Sequence, residues 1–189
     1  MPTIAVLHSI AFLDDSTLAR DPRLRYIPPL MTSGWTPKAD FRFRSLTPQD
    51  WLNRKAAYAK QLQLVTLLHR EGVRFLAGTD LSNPYIFPGF SLHDELASLV
   101  AAGFTPLEAI RSATIEAARF LGAADSLGSV ATGKRADLLL LDADPLTDIR
   151  NTTRIAVVVA AGRVVDRAAR ERLLAEEEKT ARIPPAPPR

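Results

Sequence analysis

The stretches TPQD from Thr47, SLHD from Ser91 and TPLE from Thr105 share one grammar: a hydroxyl residue followed three positions later by a carboxylate. A helix leaves its first backbone N–H groups without partners, and a hydroxyl at the N-cap with an acid at the third helical position satisfies two of them reciprocally. Pro48 and Pro106 stand where the first helical residue would be, a place at which a missing N–H costs nothing. Each stretch is therefore read as a helix start. The first helix is expected from Pro48 to Glu71, with Tyr58, Leu62, Val65 and Leu68 on one apolar stripe and Gly72 as its left-handed stop. Gly103 and Gly122 are expected to end the next two.

Between Gly72 and Ser91 the chain reads as a short buried strand, VRFLA at 73–77, followed by the loop GTDLSNPYIFPG. PTIAVLHS at 2–9 reads as another strand. Strands alternating with helices imply parallel βα units with helices packed on the sheet. Leu13 to Ala39 reads as a long loop holding short helical turns, and long loops in compact domains are often functional. After Gly122 the texture changes to strands split by Gly-containing turns, among them AAGRVVD, a tight hairpin in which Gly162 supplies positive φ. A charged helix follows from Arg167, and the Pro-rich tail after it is expected to be disordered.

The 189 residues suffice for a core, and 47% hydrophobic with 24% charged residues is ordinary for a globular, water-soluble chain. Lys and Arg number 24 against 21 for Asp and Glu, and this excess is dispersed rather than gathered in blocks, so no nucleic-acid surface is expected. The absence of Cys excludes a disulfide framework, a thiolate metal site and a Cys nucleophile. No apolar run approaches the roughly 18 residues of a membrane span, and no basic segment opens the chain. Membrane association is not expected; the compartment is unknown, and cytoplasmic if the sequence is complete as given. Lys134 and Arg135 read as a solvated turn rather than an anion site.

Asp80 is the residue with the strongest chemical promise. It follows the 73–77 strand by three positions, and in a (β/α)8 barrel catalytic groups sit at the C-terminal ends of strands. Gly78 would permit close backbone approach and Thr79 could orient its neighbour; the plainer reading is a turn capped by Asp. His8, at the end of the first apolar run, would face the same mouth and touch substrate, or serve the core or a loop. His93 lies in the first turn of the next helix, where it would either reach the Asp80 loop or pack and cap. Asn83, Tyr85 and Phe87 are offered by the loop as substrate contacts, whereas His69 reads as a helix-terminal surface residue.

The ordered set GVRFLAGTD, PGFSLHDEL, LVAAGFTPLEAIRSATIEAARFLG, LGSVATGKRADLLLLDADPL and AVVVAAGRVVD resembles the C-terminal half of the amidohydrolase superfamily over roughly residues 48–167. The likeness is greatest to its imidazolonepropionase-like and prolidase-like branch. The resemblance implies an α/β chain: about the last two βα units of a metal-dependent hydrolase (β/α)8 TIM barrel in 1–122, part of a small composite β-sandwich in 123–167, and a terminal helix with its tail in 168–189. It implies hydrolysis of C–N bonds other than ordinary peptide bonds in a small-molecule substrate, a cyclic amide or a dipeptide-like compound. The implied cofactor is a divalent metal, zinc by expectation, with Asp80 as the last-strand ligand that takes a proton from the attacking water.

That family also uses a His-x-His pair, a bridging Lys or Glu and two later His, whereas the three His of this chain, His8, His69 and His93, form no such pair. A catalytic metal takes about three protein ligands. The chain is therefore expected to begin at the seventh of eight barrel strands and to be inactive alone. The alternative is a remnant or subunit with no catalysis of its own that associates with a complementary chain carrying the missing His, or with itself; the unpaired faces of TIAVL and VRFLA are expected to favour association or partial order.

Overall fold

The structure, a computed structural model, describes residues 1–183, so the Pro-rich tail lies outside the described residues. The first apolar run corrects the strand expectation: Ile4–Ala11 is a helix, α1. The second, 73–77, is irregular and reaches a neighbour through the Ala77 N–H, which donates to the Ser112 carbonyl at 3.2 Å. A strand can satisfy its backbone only through an adjacent strand, whereas a helix does so internally. No parallel sheet forms among the described residues. α1 buries Ile4, Ala5, Val6, Ser9 and Ala11 instead.

The segment expected as a long loop with helical turns holds 3-10 turns at Leu18–Arg20 and Pro22–Tyr26 and the one-turn helix α2, Pro29–Thr32. α3 runs Pro48–Arg70 behind a complete Thr47–Asp50 capping box, with Glu71 as C-cap and Gly72 left-handed at φ 77°. α5, Pro106–Ala113, starts behind the Thr105–Glu108 box. The helix expected to continue to Gly122 breaks at Thr114 and resumes as α6, Ile115–Phe120.

The start at Ser91 differs from the expectation. In α4, Ser91–Ala101, the N-cap is Phe90; the Ser91 hydroxyl instead accepts the Phe87 N–H at 2.8 Å, closing the preceding loop.

Beyond α6, Leu138–Leu141 (β1), Ile155–Ala160 (β2) and Arg163–Val165 (β3) form an antiparallel sheet in that order. Ala161 and Gly162 join β2 to β3 with φ of 49° and 78°, the two positive values that a type I′ hairpin requires. α7, Arg167–Ala181, is the expected charged helix.

The main core joins α1, α3, α4, α5 and the 3-10 turn Ile149–Thr153 through Ile4, Val65, Leu96, Leu99, Ala109 and Ile149. A second cluster of Leu13, Phe43 and Trp51 anchors the 13–46 segment, with Ile10, Leu46 and Tyr85 packed against it. No helix among the described residues is long and apolar enough to cross a membrane.

Candidate active site

The loop from Asp80 to Phe90 departs from ordinary backbone at three non-glycine residues: Asp80, Ser82 and Tyr85 have φ of 52°, 84° and 57°. Left-handed conformations of residues with a Cβ are costly and persist only where the surroundings over-determine them. Here the Asn83 Nδ2 donates to the Asp80 main-chain oxygen at 3.0 Å, the Ile86 N–H donates to the Asn83 carbonyl at 3.2 Å, and the Ser9 hydroxyl donates to the Pro84 carbonyl. Asp80 stands exposed at the start of this loop. Asn83 also accepts from Arg42 Nη1 at 3.3 Å, so one side chain bridges the loop to the 13–46 segment.

Tyr85 packs beside Trp35 and Phe87, with ring centroids 5.4 and 6.4 Å away. Burial raises its phenol pKa above the ordinary value, and the Asp21 charge acts in the same direction. Asp80, Asn83 and Tyr85 thus share one loop.

The two histidines lie elsewhere. His8 does not end a strand facing a barrel mouth; it sits within α1, stacked on Phe12 at 4.6 Å and edge-on to Tyr58 at 5.4 Å. Desolvation of its ring lowers its pKa, opposed by the charges of Asp94 and Asp15. His93 turns its Nδ1 to the Thr152 hydroxyl at 2.9 Å, and because that hydroxyl donates to the Ile149 carbonyl, Nδ1 is the donor of the pair. Desolvation lowers the His93 pKa too, so its imidazole is neutral at pH 7. It lines a largely apolar cleft of about 860 Å3 between α4–α6 and the sheet, to which Asp80, Asn83, Tyr85 and His8 contribute nothing. His69 closes α3, stacked on Phe104 at 3.7 Å and 3.5 Å from Glu108. The Lys134 ammonium donates to the Ala124 carbonyl and the Ser129 hydroxyl, both at 2.6 Å, which makes it a local fastener.

Glu95 is the group that sequence reasoning missed. It is 0% exposed, and its Oε2 accepts the Ala5 N–H at 2.7 Å at the start of α1, while Oε1 has no partner among the described residues. Desolvation raises its pKa, outweighing the Ala5 and Ile4 amides that lower it. A carboxylate at position 95, next to Leu96 and four positions before Leu99, was the available signal.

Among the described residues no group of three or more His, Asp or Glu could hold a metal ion. A divalent metal therefore does not fit these residues by themselves, and what the site offers is one exposed carboxylate on a tightly fastened loop, able to accept or hold a proton.

Comparison with known proteins places this loop in a family. The chain is 43% identical to adenine deaminase 2 of Rhizobium johnstonii over 79 residues, covering 42% of this chain and 12% of that protein. It is 40% identical to imidazolonepropionase of Pseudomonas putida over 80 residues, covering 42% of this chain and 20% of the relative. Among solved structures, a prolidase-like protein from Bifidobacterium longum superposes with a TM-score of 0.57 at 35% identity, over 71% of this chain and 34% of that one. Bottromycin amidohydrolase superposes with a TM-score of 0.70 over 95% of this chain and 39% of its own, at 24% identity, a likeness of fold. The chain thus spans a minor part of each relative's length. Residues 49–165, more than half of the chain and including Asp80, match the amidohydrolase family, and the chain belongs to that family.

Proposed function

We propose that this chain supplies the Asp-bearing end of a metal-dependent hydrolase that cleaves C–N bonds other than ordinary peptide bonds in small molecules, cyclic amides or dipeptide-like compounds. Asp80 is the carboxylate that takes a proton from the attacking water and returns it to the leaving nitrogen as the C–N bond breaks. The observation that carries this reading is an exposed carboxylate on a left-handed, multiply fastened loop inside the region shared with the amidohydrolases. Amidohydrolases generally use divalent metals. The described residues would give such an ion, zinc by expectation, only Asp80, so its other ligands belong to the rest of the hydrolase, on the same polypeptide or on a complementary chain. Residues 1–122 would then belong to the barrel side of the hydrolase and 123–167 to its composite sheet domain, with 168–189 as an appendage. Asn83 and Tyr85, beside Asp80, would border the substrate, whereas His8 and His93 are spent on other contacts.

The test is Asp80→Asn in the assembled hydrolase, assayed on an aminopurine, a five-membered cyclic amide and an Xaa-Pro dipeptide. Loss of a proton-transferring group lowers kcat by roughly 10²- to 10⁴-fold. Unchanged turnover and unchanged metal content in that variant would defeat the assignment.

A second reading is an inactive subunit or remnant that works by association. It is favoured by exposed apolar side chains on and near the sheet, with Val130 85%, Leu139 54% and Leu140 52% exposed. Sedimentation of the purified chain as a folded monomer that binds no partner would count against it.

A further inference from the structure

Two three-residue sequences in the 13–46 segment, Asp21-Pro-Arg23 and Asp40-Phe-Arg42, fold into the same device. In the first, Asp21 Oδ1 accepts the Arg23 backbone N–H at 2.8 Å and its Nε at 3.0 Å, and Oδ2 accepts Nη2 at 2.7 Å. In the second, Asp40 Oδ1 accepts the Arg42 backbone N–H at 2.9 Å and its Nε at 3.0 Å, and Oδ2 accepts Nη2 at 2.7 Å. A guanidinium held along one edge by a carboxylate is fixed in bearing, and its remaining nitrogen becomes a rigid arm. Asp40 is itself buried, and the hydrogen bonds from Arg42 hold its carboxyl below the usual range.

One arm lands on the loop that carries Asp80 and the other on the helix that follows it. Arg23 Nη1 donates to Asp94 Oδ2 at 2.5 Å in the first turn of α4, and its guanidinium lies 4.5 Å from the Phe87 ring centroid. Arg42 Nη1 donates to Asn83 Oδ1, and Asn83 Nδ2 donates to the Asp80 carbonyl. The amide orientation follows from its partners, because a guanidinium can only donate and a carbonyl can only accept. The result is an unbroken line from a buried carboxylate to the backbone of the candidate catalytic residue: Asp40, Arg42, Asn83, Asp80.

We propose that Arg42 and Asn83 are positioning residues for Asp80, with the Asp40-Phe-Arg42 clasp setting the bearing at which the loop presents its carboxylate. The proposal rests on the reading of Asp80 as the reactive carboxylate. The Arg23 clasp fixes the other end of the loop, so the 13–46 segment acts as a strap whose attachment decides the Asp80 geometry.

The discriminating variant is Asn83→Asp. It keeps, and charges, the partner of Arg42 but removes the only group that donates from residue 83 to the Asp80 carbonyl. The readout is the backbone 15N order parameter in the isotope-labelled, metal-free chain. In the parent, Asp80 should lie near about 0.85, the value of rigid backbone, and in N83D it should fall below about 0.6, with Asp40, Arg42 and Ile86 unchanged. Arg42→Lys, which retains charge but has no fork, should loosen both Asp80 and residues 40–42, a failure of rescue that a purely electrostatic role would not show. An Asp80 that stays rigid in N83D, or in R42K should N83D fail to fold, overturns the proposal. Because no turnover enters this measurement, it can fail while the Asp80→Asn assay succeeds, and the reverse.

Discussion

The backbone of Asp80 makes a prediction that needs no substrate. At φ 52° its Cβ crowds the following carbonyl, which costs an ordinary L-residue about 1–2 kcal/mol, while Asp and Asn relieve part of this by local hydrogen bonding. Replacing Asp80 by Ala should expose that cost, and replacing it by Gly should remove it. Gly also gives the unfolded chain extra freedom, a disadvantage of about 0.4–1 kcal/mol relative to Ala. The two terms leave Asp80→Gly more stable than Asp80→Ala by about 1 kcal/mol, or about 2–4 °C in Tm for a chain of this size. Asp80→Asn should match the parent. Since Asp80 is exposed, truncation removes no buried contact, and the backbone term is isolated. Urea unfolding followed by circular dichroism at 222 nm measures all four proteins. An Ala variant as stable as the Gly variant would refute a left-handed Asp80, and with it the strained loop on which the positioning argument stands.

Glu95 should make stability depend on pH. Its folded pKa is raised, so the native state binds a proton more readily than the unfolded chain; its contribution is complete below the ordinary carboxyl range and is lost as pH rises through the folded value. The stability of the parent minus that of Glu95→Gln should therefore fall as pH is raised from about 4 to about 8, and a flat difference in urea titrations would sink the idea. Gly128 is the site of a steric prediction. A Cβ there would lie 2.8 Å from both Ala118 Cβ and Ile115 Cα, at φ 82°, so Gly128→Ala should lose more than about 1 kcal/mol by the same assay. Equal stability would mean that α6 and the Gly128 turn are not packed as described.

The parts of this protein that could be read from the sequence are those whose physics closes within a few residues. Thr47 with Asp50 and Thr105 with Glu108 satisfy helix amides locally, Gly72 and Gly162 take backbone angles that other residues resist, and each stands where its neighbours said it would. Asp80 drew attention in the sequence because GTD ends the first of five motifs that stand in family order. The SLHD start misled because its hydroxyl found a better partner in the Phe87 amide across the loop.

What the tertiary structure alone decided involves partners far along the chain. The apolar run at Ile4–Ala11 suits a strand or a helix equally; it is a helix here because no neighbouring strand pairs with it among the described residues and because Glu95, ninety positions away, accepts an amide at its start. The two Asp-x-Arg turns are local, but that their free arms meet Asp94 and Asn83, at separations of 71 and 41 residues, depends on how the 13–46 segment packs over the loop. Short-range hydrogen bonds cost little chain entropy and recur wherever their residues occur, whereas a long-range contact forms only once the rest of the core has brought its two ends together.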